Sequence, residues 1–78
     1  MKKSYSISAY DTNGTLILTE HASSSVKASS VAREFLTYAN VGTVDVERNN
    51  IITYRYARLS NHSGIKIDTN GKIANIRF

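Results

Sequence analysis

Polar and apolar residues alternate with a period of two at the start of the chain, where Tyr5, Ile7 and Ala9 interleave with Ser6, Ser8 and Tyr10. Asn13-Gly14 follows, and then Leu16 and Leu18 alternate with Thr15, Ile17 and Thr19. Such alternation marks half-buried strands. Asn-Gly between two such runs predicts a tight hairpin, because a type I′ turn needs positive φ at both central positions. A two-residue loop pairs Ala9 with Leu18 and Asp11 with Leu16. Ile7, Ala9, Leu16 and Leu18 are then expected on one face, and Ser6, Ser8, Tyr10, Thr15, Ile17 and Thr19 on the other.

Over residues 24–40 the period changes. Ala28, Val31, Ala32, Phe35 and Ala39, with Leu36 beside them, form one apolar stripe at helical spacing. Ser23, Ser24 or Ser25 can cap the amino end by accepting from its orphan N–H groups. Asn40 and Gly42 tolerate the left-handed backbone that ends helices. Lys27, Arg33, Glu34 and Thr37 face outward or flank the stripe.

After Gly42 the period of two returns. Val44 and Val46 alternate with Asp45 and Glu47, and Ile52, Tyr54 and Tyr56 with Thr53, Arg55 and Ala57. A two-residue Asn49-Asn50 loop would oppose Val46 to Thr53. A three-residue loop, Arg48-Asn49-Asn50, opposes Val46 to Ile52 and Val44 to Tyr54. Register follows the buried face, so the longer loop is expected, with Asn50 left-handed. Asn61-His62-Ser63-Gly64 reads as a turn, and Ile65 and Ile67 lead to a second Asn-Gly at Asn70-Gly71. The last strand sets Ala74, Ile76 and Phe78 on the face of those isoleucines.

The order is β-β-α-β-β-β-β, an α+β two-layer sandwich with one helix on a mainly antiparallel sheet. Residues 1–78 are expected to form a single domain without internal repeats or linkers. One helix cannot cover six strands, so the opposite face of the sheet meets water or a partner.

Composition narrows the function. A chain of 78 residues, 41% hydrophobic and 21% charged, has room for one core and little for a deep cofactor pocket. It has no cysteine, proline or tryptophan, so no disulfide framework or zinc-thiolate site is expected. The longest apolar runs are Leu16-Ile17-Leu18 and Ile51-Ile52, far short of the roughly 20 residues of a membrane helix. Lys2 and Lys3 are followed by polar alternation instead of an apolar signal core. A cytoplasmic protein is expected.

Catalytic chemistry finds few candidates. Nucleophilic catalysis needs a base beside a hydroxyl or thiol, and the only histidines are His21, past the first hairpin, and His62, in a loop. No metal-ligand spacing is present, and Gly14, Gly42, Gly64 and Gly71 each sit at an expected turn. No catalytic residue, metal or cofactor is therefore assigned. Asp45 and Glu47 share the outer face of one strand, opposite Thr53 and Ile51, where ion pairing outweighs acid–base chemistry as an explanation. Asp68 is expected near Arg55 in the same way.

The basic residues say more. Ten Lys and Arg against six acidic residues give a net charge of +4. Strand parity collects Arg55, Lys66 and Arg77 on the outer face, with Arg48 at the hairpin loop beside it. These four are the candidate partner-binding residues. A positive open sheet suits an acidic protein surface or nucleic-acid phosphates. Stacking of bases needs exposed aromatics, and here mainly Tyr10 is expected outside.

The stretch from Ala22 to Arg58 combines a Ser-capped, Ala-rich helix with a Gly42-Thr43-Val44 start into two paired strands. It resembles small phage-encoded inhibitors of type I CRISPR–Cas systems, the single-helix, antiparallel-sheet anti-CRISPR proteins. The resemblance implies a stoichiometric, non-enzymatic inhibitor in the bacterial host cytoplasm. Such an inhibitor docks on the crRNA-guided surveillance complex and blocks target DNA binding or nuclease recruitment. It carries no site residue onto this chain. Two other expectations stand beside it: a small basic nucleic-acid-binding sheet protein, and a homodimer paired through open faces or edges.

Overall fold

The computed structural model describes residues 4–78, so Lys2 and Lys3 lie outside the described residues. The elements are β1 (Tyr5–Tyr10), β2 (Leu16–Ala22), α1 (Ser25–Leu36), β3 (Thr43–Arg48), β4 (Ile51–Arg58), β5 (Ser63–Asp68) and β6 (Ile73–Arg77). They form one six-stranded sheet in the order β2-β1-β3-β4-β5-β6, antiparallel at every pairing. The α+β sandwich and its element order are as the hydrophobic pattern predicts.

The helix packs on β1, β2, β3 and β4. Ala28, Ala32, Phe35 and Leu36 point into the sheet and meet Tyr5, Ile7, Ala9, Val44, Val46 and Tyr56. Ile7, Leu36 and Val44 are wholly buried, and each such side chain contributes about 1.5–3 kcal/mol relative to exposure. Alanines along the stripe let the helix lie close to the strands. Ser24 is the cap: its Oγ accepts from the Lys27 N–H at 3.2 Å.

The carboxyl end departs from expectation. The helix stops at Leu36, and Thr37 stays right-handed while its N–H and hydroxyl both bond back to the Glu34 carbonyl. Asn40 and Gly42 are not left-handed, and Ala39 is exposed outside the stripe. Arg58 instead donates to the Tyr38 carbonyl at 2.6 Å, satisfying a group just past the helix end from the neighbouring sheet.

The first two tight hairpins differ from the expected loops. Asn13-Gly14 is not a type I′ turn. Asp11 bonds to Thr15 across a three-residue loop in which only Gly14 is left-handed, at φ 83°. The Asp11 carboxylate accepts from the N–H groups of Asn13 and Thr15, each at 2.9 Å. The string Asp-Thr-Asn-Gly recurs at Asp68–Gly71. There Asp68 accepts from Asn70 and Lys72, again at 2.9 Å, and Gly71 has φ 79°. The Asp before the Asn-Gly converts the turn by offering its carboxylate to two backbone donors.

In the first hairpin the longer loop is offset by a bulge. Ala9 pairs with Leu18 and Tyr10 with Leu16, leaving Ile17 as the extra residue. Ala9 and Leu18 therefore meet as expected. Leu16, however, lies on the outer face at 54% exposure, and Ile17 packs against the core. The β3–β4 hairpin shows the converse. Its loop is the two-residue one, with Asn49 at φ 54° and Asn50 at φ 66°. A bulge at Thr53 then restores the buried parity, opposing Val46 to Tyr54 and Val44 to Tyr56. Both bulges do the same job: they reconcile a loop set by local chemistry with a face set by burial.

Candidate functional site

Away from the helix, the sheet presents an open face with two distinct halves. Over β1, β2 and β3 it carries Ser6, Ser8, Tyr10, Thr19, His21, Thr43, Asp45 and Glu47, as the strand pairings require. Ser6 and His21 meet across the strands at 3.3 Å. Over β4, β5 and β6 the face turns apolar. Arg55 opposes Ile67, which opposes Ile73, and Ala57 opposes Ile65. Ile52, displaced outward by the Thr53 bulge, joins them opposite Glu47. Ile52 is 38% exposed and Ile73 61% exposed. A shallow cleft of about 290 Å³ runs among Ile52, Arg55 and Ile67 at the loop end of these strands.

The two halves meet at one ion pair. Arg55 Nε donates to Asp45 Oδ1 at 2.7 Å and Nη2 to Oδ2 at 3.2 Å, a bidentate clasp across β3 and β4. Asp45 is only 7% exposed although it lies on the open face, so removing Arg55 would strand a desolvated carboxylate. The hydrogen bond to Asp45 and its negative charge raise the Arg55 pKa above the usual guanidinium value. The cation is thus permanent and already committed. Asp45 lies opposite Arg55, not Thr53, and Glu47 opposite Ile52, not Ile51.

Of the four candidate cations, the sheet brings only Arg55 and Arg77 to the open face. Lys66 belongs to the other side, opposite Tyr56, with its ammonium 4.1 Å from the Tyr54 ring centroid and 5.9 Å from that of Tyr56. Arg48 ends β3 as a strand residue, 5.8 Å over the Tyr5 ring. A basic cluster of Arg55, Lys66 and Arg77 is therefore not formed. Asp68 faces Tyr54 across the strands, and its carboxylate serves the turn instead of Arg55.

The reversal of β5 explains these differences. Ile65 and Ile67 lie outward, and Ala74 and Ile76 occupy the opposite face with Lys66 and Gly64. Gly64 is a strand residue, not a turn residue. A Cβ on it would stand 2.5 Å from the Ala57 carbonyl oxygen and 3.2 Å from the Phe78 ring. That glycine lets Phe78 fold over the strand against the core, and it locks β5 with its even-numbered residues toward the helix side. A glycine inside an alternating run was the signal available in the sequence, since it marks close approach as readily as a turn.

Among the described residues no three of His, Asp and Glu converge in a metal-binding group, and no helix is long and apolar enough to cross a membrane. No family model, no curated protein and no solved structure matches the chain.

Proposed function

We propose that the chain is a non-enzymatic binding protein that presses the open face of β4, β5 and β6 against a protein partner. The isoleucine patch carries this reading. Ile52, Ile65, Ile67 and Ile73 share one face, Ile52 and Ile73 exposed and Ile65 and Ile67 half-buried, and contiguous apolar surface of this kind marks contact sites. Around it stand polar groups suited to a rim: Glu47, Asn75 and Arg77.

The resemblance of residues 22–58 to single-helix anti-CRISPR proteins names the partner to test first, the type I CRISPR surveillance complex. In that reading a phage-encoded inhibitor acts by occupancy in the bacterial cytoplasm and blocks target DNA binding or nuclease recruitment. Nucleic acid draws less support. Arg55 is tied to Asp45 and Lys66 stands on the helix side, leaving Arg77 as the one candidate cation on the open face without a carboxylate partner among the described residues. Among the described residues the open face also offers only Tyr10 for base stacking.

The test is co-elution of the chain with purified type I surveillance complexes of several subtypes. Stoichiometric retention is expected with one of them, and the double substitution Ile52→Asp with Ile73→Asp should weaken it by about tenfold or more. Retention by none at micromolar concentration sinks the CRISPR assignment, and undiminished retention of the double variant sinks the patch.

A further inference from the structure

We propose that the outer edge of β6 is a docking edge that takes an extended, acidic segment of the partner as a seventh strand. The inference rests on the binding role above and names the chemistry of the partner segment.

The register defines which backbone groups are free. Asp68 N–H bonds to the Lys72 carbonyl and Phe78 N–H to the His62 carbonyl. In an antiparallel ladder, inward-bonding residues alternate, so Lys72, Ala74, Ile76 and Phe78 bond toward β5. Ile73, Asn75 and Arg77 therefore direct their N–H and C=O groups away from the sheet. The Arg77 carbonyl already accepts from Arg33 at 2.6 Å. Both groups of Ile73, both of Asn75 and the N–H of Arg77 have no partner among the described residues.

The two edges of the sheet are not equivalent. β2 carries the bulge at Ile17, and its only charged side chain is Glu20. A bulge and an acid both discourage strand addition by an acidic segment. β6 pairs with β5 without a bulge, so its outward backbone groups alternate regularly. Lys72 stands just before it and Arg77 ends it, with no acidic residue between them.

Those cations select the occupant. Two copies of a chain of net charge +4, joined edge to edge, would set one basic surface against another, and that net repulsion opposes the pairing. An acidic strand alternating Glu with Val reverses that sign: its carboxylates lie on the face of Arg77, and its apolar residues on the opposite face with Ala74 and Ile76. Main-chain bonds then supply affinity, and the alternate side chains supply specificity. Added on this edge, the strand also extends the isoleucine face, because Ile73, Asn75 and Arg77 lie on it.

The test uses two labelled octapeptides, one alternating Glu with Val and one alternating Lys with Val. Binding is followed by fluorescence anisotropy and by amide hydrogen exchange of the protein. The acidic peptide should bind and protect the N–H groups of Ile73, Asn75 and Arg77, and the basic one should not. Asn75→Pro removes one outward donor at an edge position where proline is tolerated, and should weaken binding by about tenfold. Lys72→Glu with Arg77→Glu keeps the backbone and should exchange the preference for the basic peptide. No binding of the acidic peptide, or binding indifferent to both variants, overturns the proposal. Protection of the same amides on self-association without peptide, seen with a dimer in sedimentation, overturns it in favour of a second copy. These outcomes do not depend on the surveillance complex, so failure of the edge and failure of the CRISPR reading are separable.

Discussion

The hairpins β1–β2 and β5–β6 are closed by the same four residues, Asp-Thr-Asn-Gly, folded the same way. In each the aspartate holds two N–H groups at 2.9 Å and the glycine is left-handed. Their surroundings then diverge. The first hairpin contributes Tyr5, Ile7, Ala9 and Ala22 to the core under the helix. The second has no comparable cover, and only Ile76 reaches the core from its two strands, with Phe78 just beyond. Identical turns thus close one hairpin that is held by burial and another held mainly by its ladder and by Gly64. Local chemistry builds a turn, but the helix above decides which hairpin becomes core and which stays available as surface.

The contrast breaks most sharply at matched isoleucines. Ile7→Ala removes a wholly buried side chain and should cost about 2–5 kcal/mol. Ile73→Ala, at 61% exposure, should stay within about 0.5 kcal/mol. Urea unfolding of the two variants measures both, and equal losses would mean that the second hairpin is buried after all. Gly64→Ala comes next. Its Cβ would meet backbone at 2.5 Å, so a loss of about 1–3 kcal/mol is expected, with faster hydrogen exchange in β5 and β6. Unchanged stability would show that the Phe78 contact does not hold the second hairpin in place.

The smallest effect is the most discriminating. Asp11→Ala and Asp68→Ala remove the same pair of turn bonds, worth about 1 kcal/mol in total at exposed sites. In the first hairpin the loss should lower the global melting temperature. In the second it should chiefly accelerate exchange of β5 and β6 amides, because that hairpin opens below the global unfolding free energy. Identical exchange patterns for the two variants would end the distinction.

Much of the architecture was legible in the chain. The change of period at residues 24–40 located the helix, and alternation located all six strands. Val44, Val46, Tyr54 and Tyr56 follow the buried parity of the sequence and lie on that face or pack against it. The candidate site was less legible. Arg55 and Arg77 reach the open face, but Lys66 is turned onto two tyrosine rings, and the isoleucines expected inside form the outer patch. Only hydrophobicity links the parity of β4 to that of β5 in the sequence. Beyond the helix neither face is deeply buried, so hydrophobicity no longer selects one.

The alternation of polar and apolar positions, and the turn residues between them, determined by themselves that this chain makes six strands and one helix. Those are consequences of short-range backbone chemistry and of a pattern repeating over a few residues. Only the tertiary structure decided the bulges that compensate the locally set loops, the face on which β5 lies, and the emergence of an isoleucine surface beside an open edge. Each of these depends on which strands the helix covers, a relation between segments far apart in the chain, and on the close approach of Phe78 over Gly64.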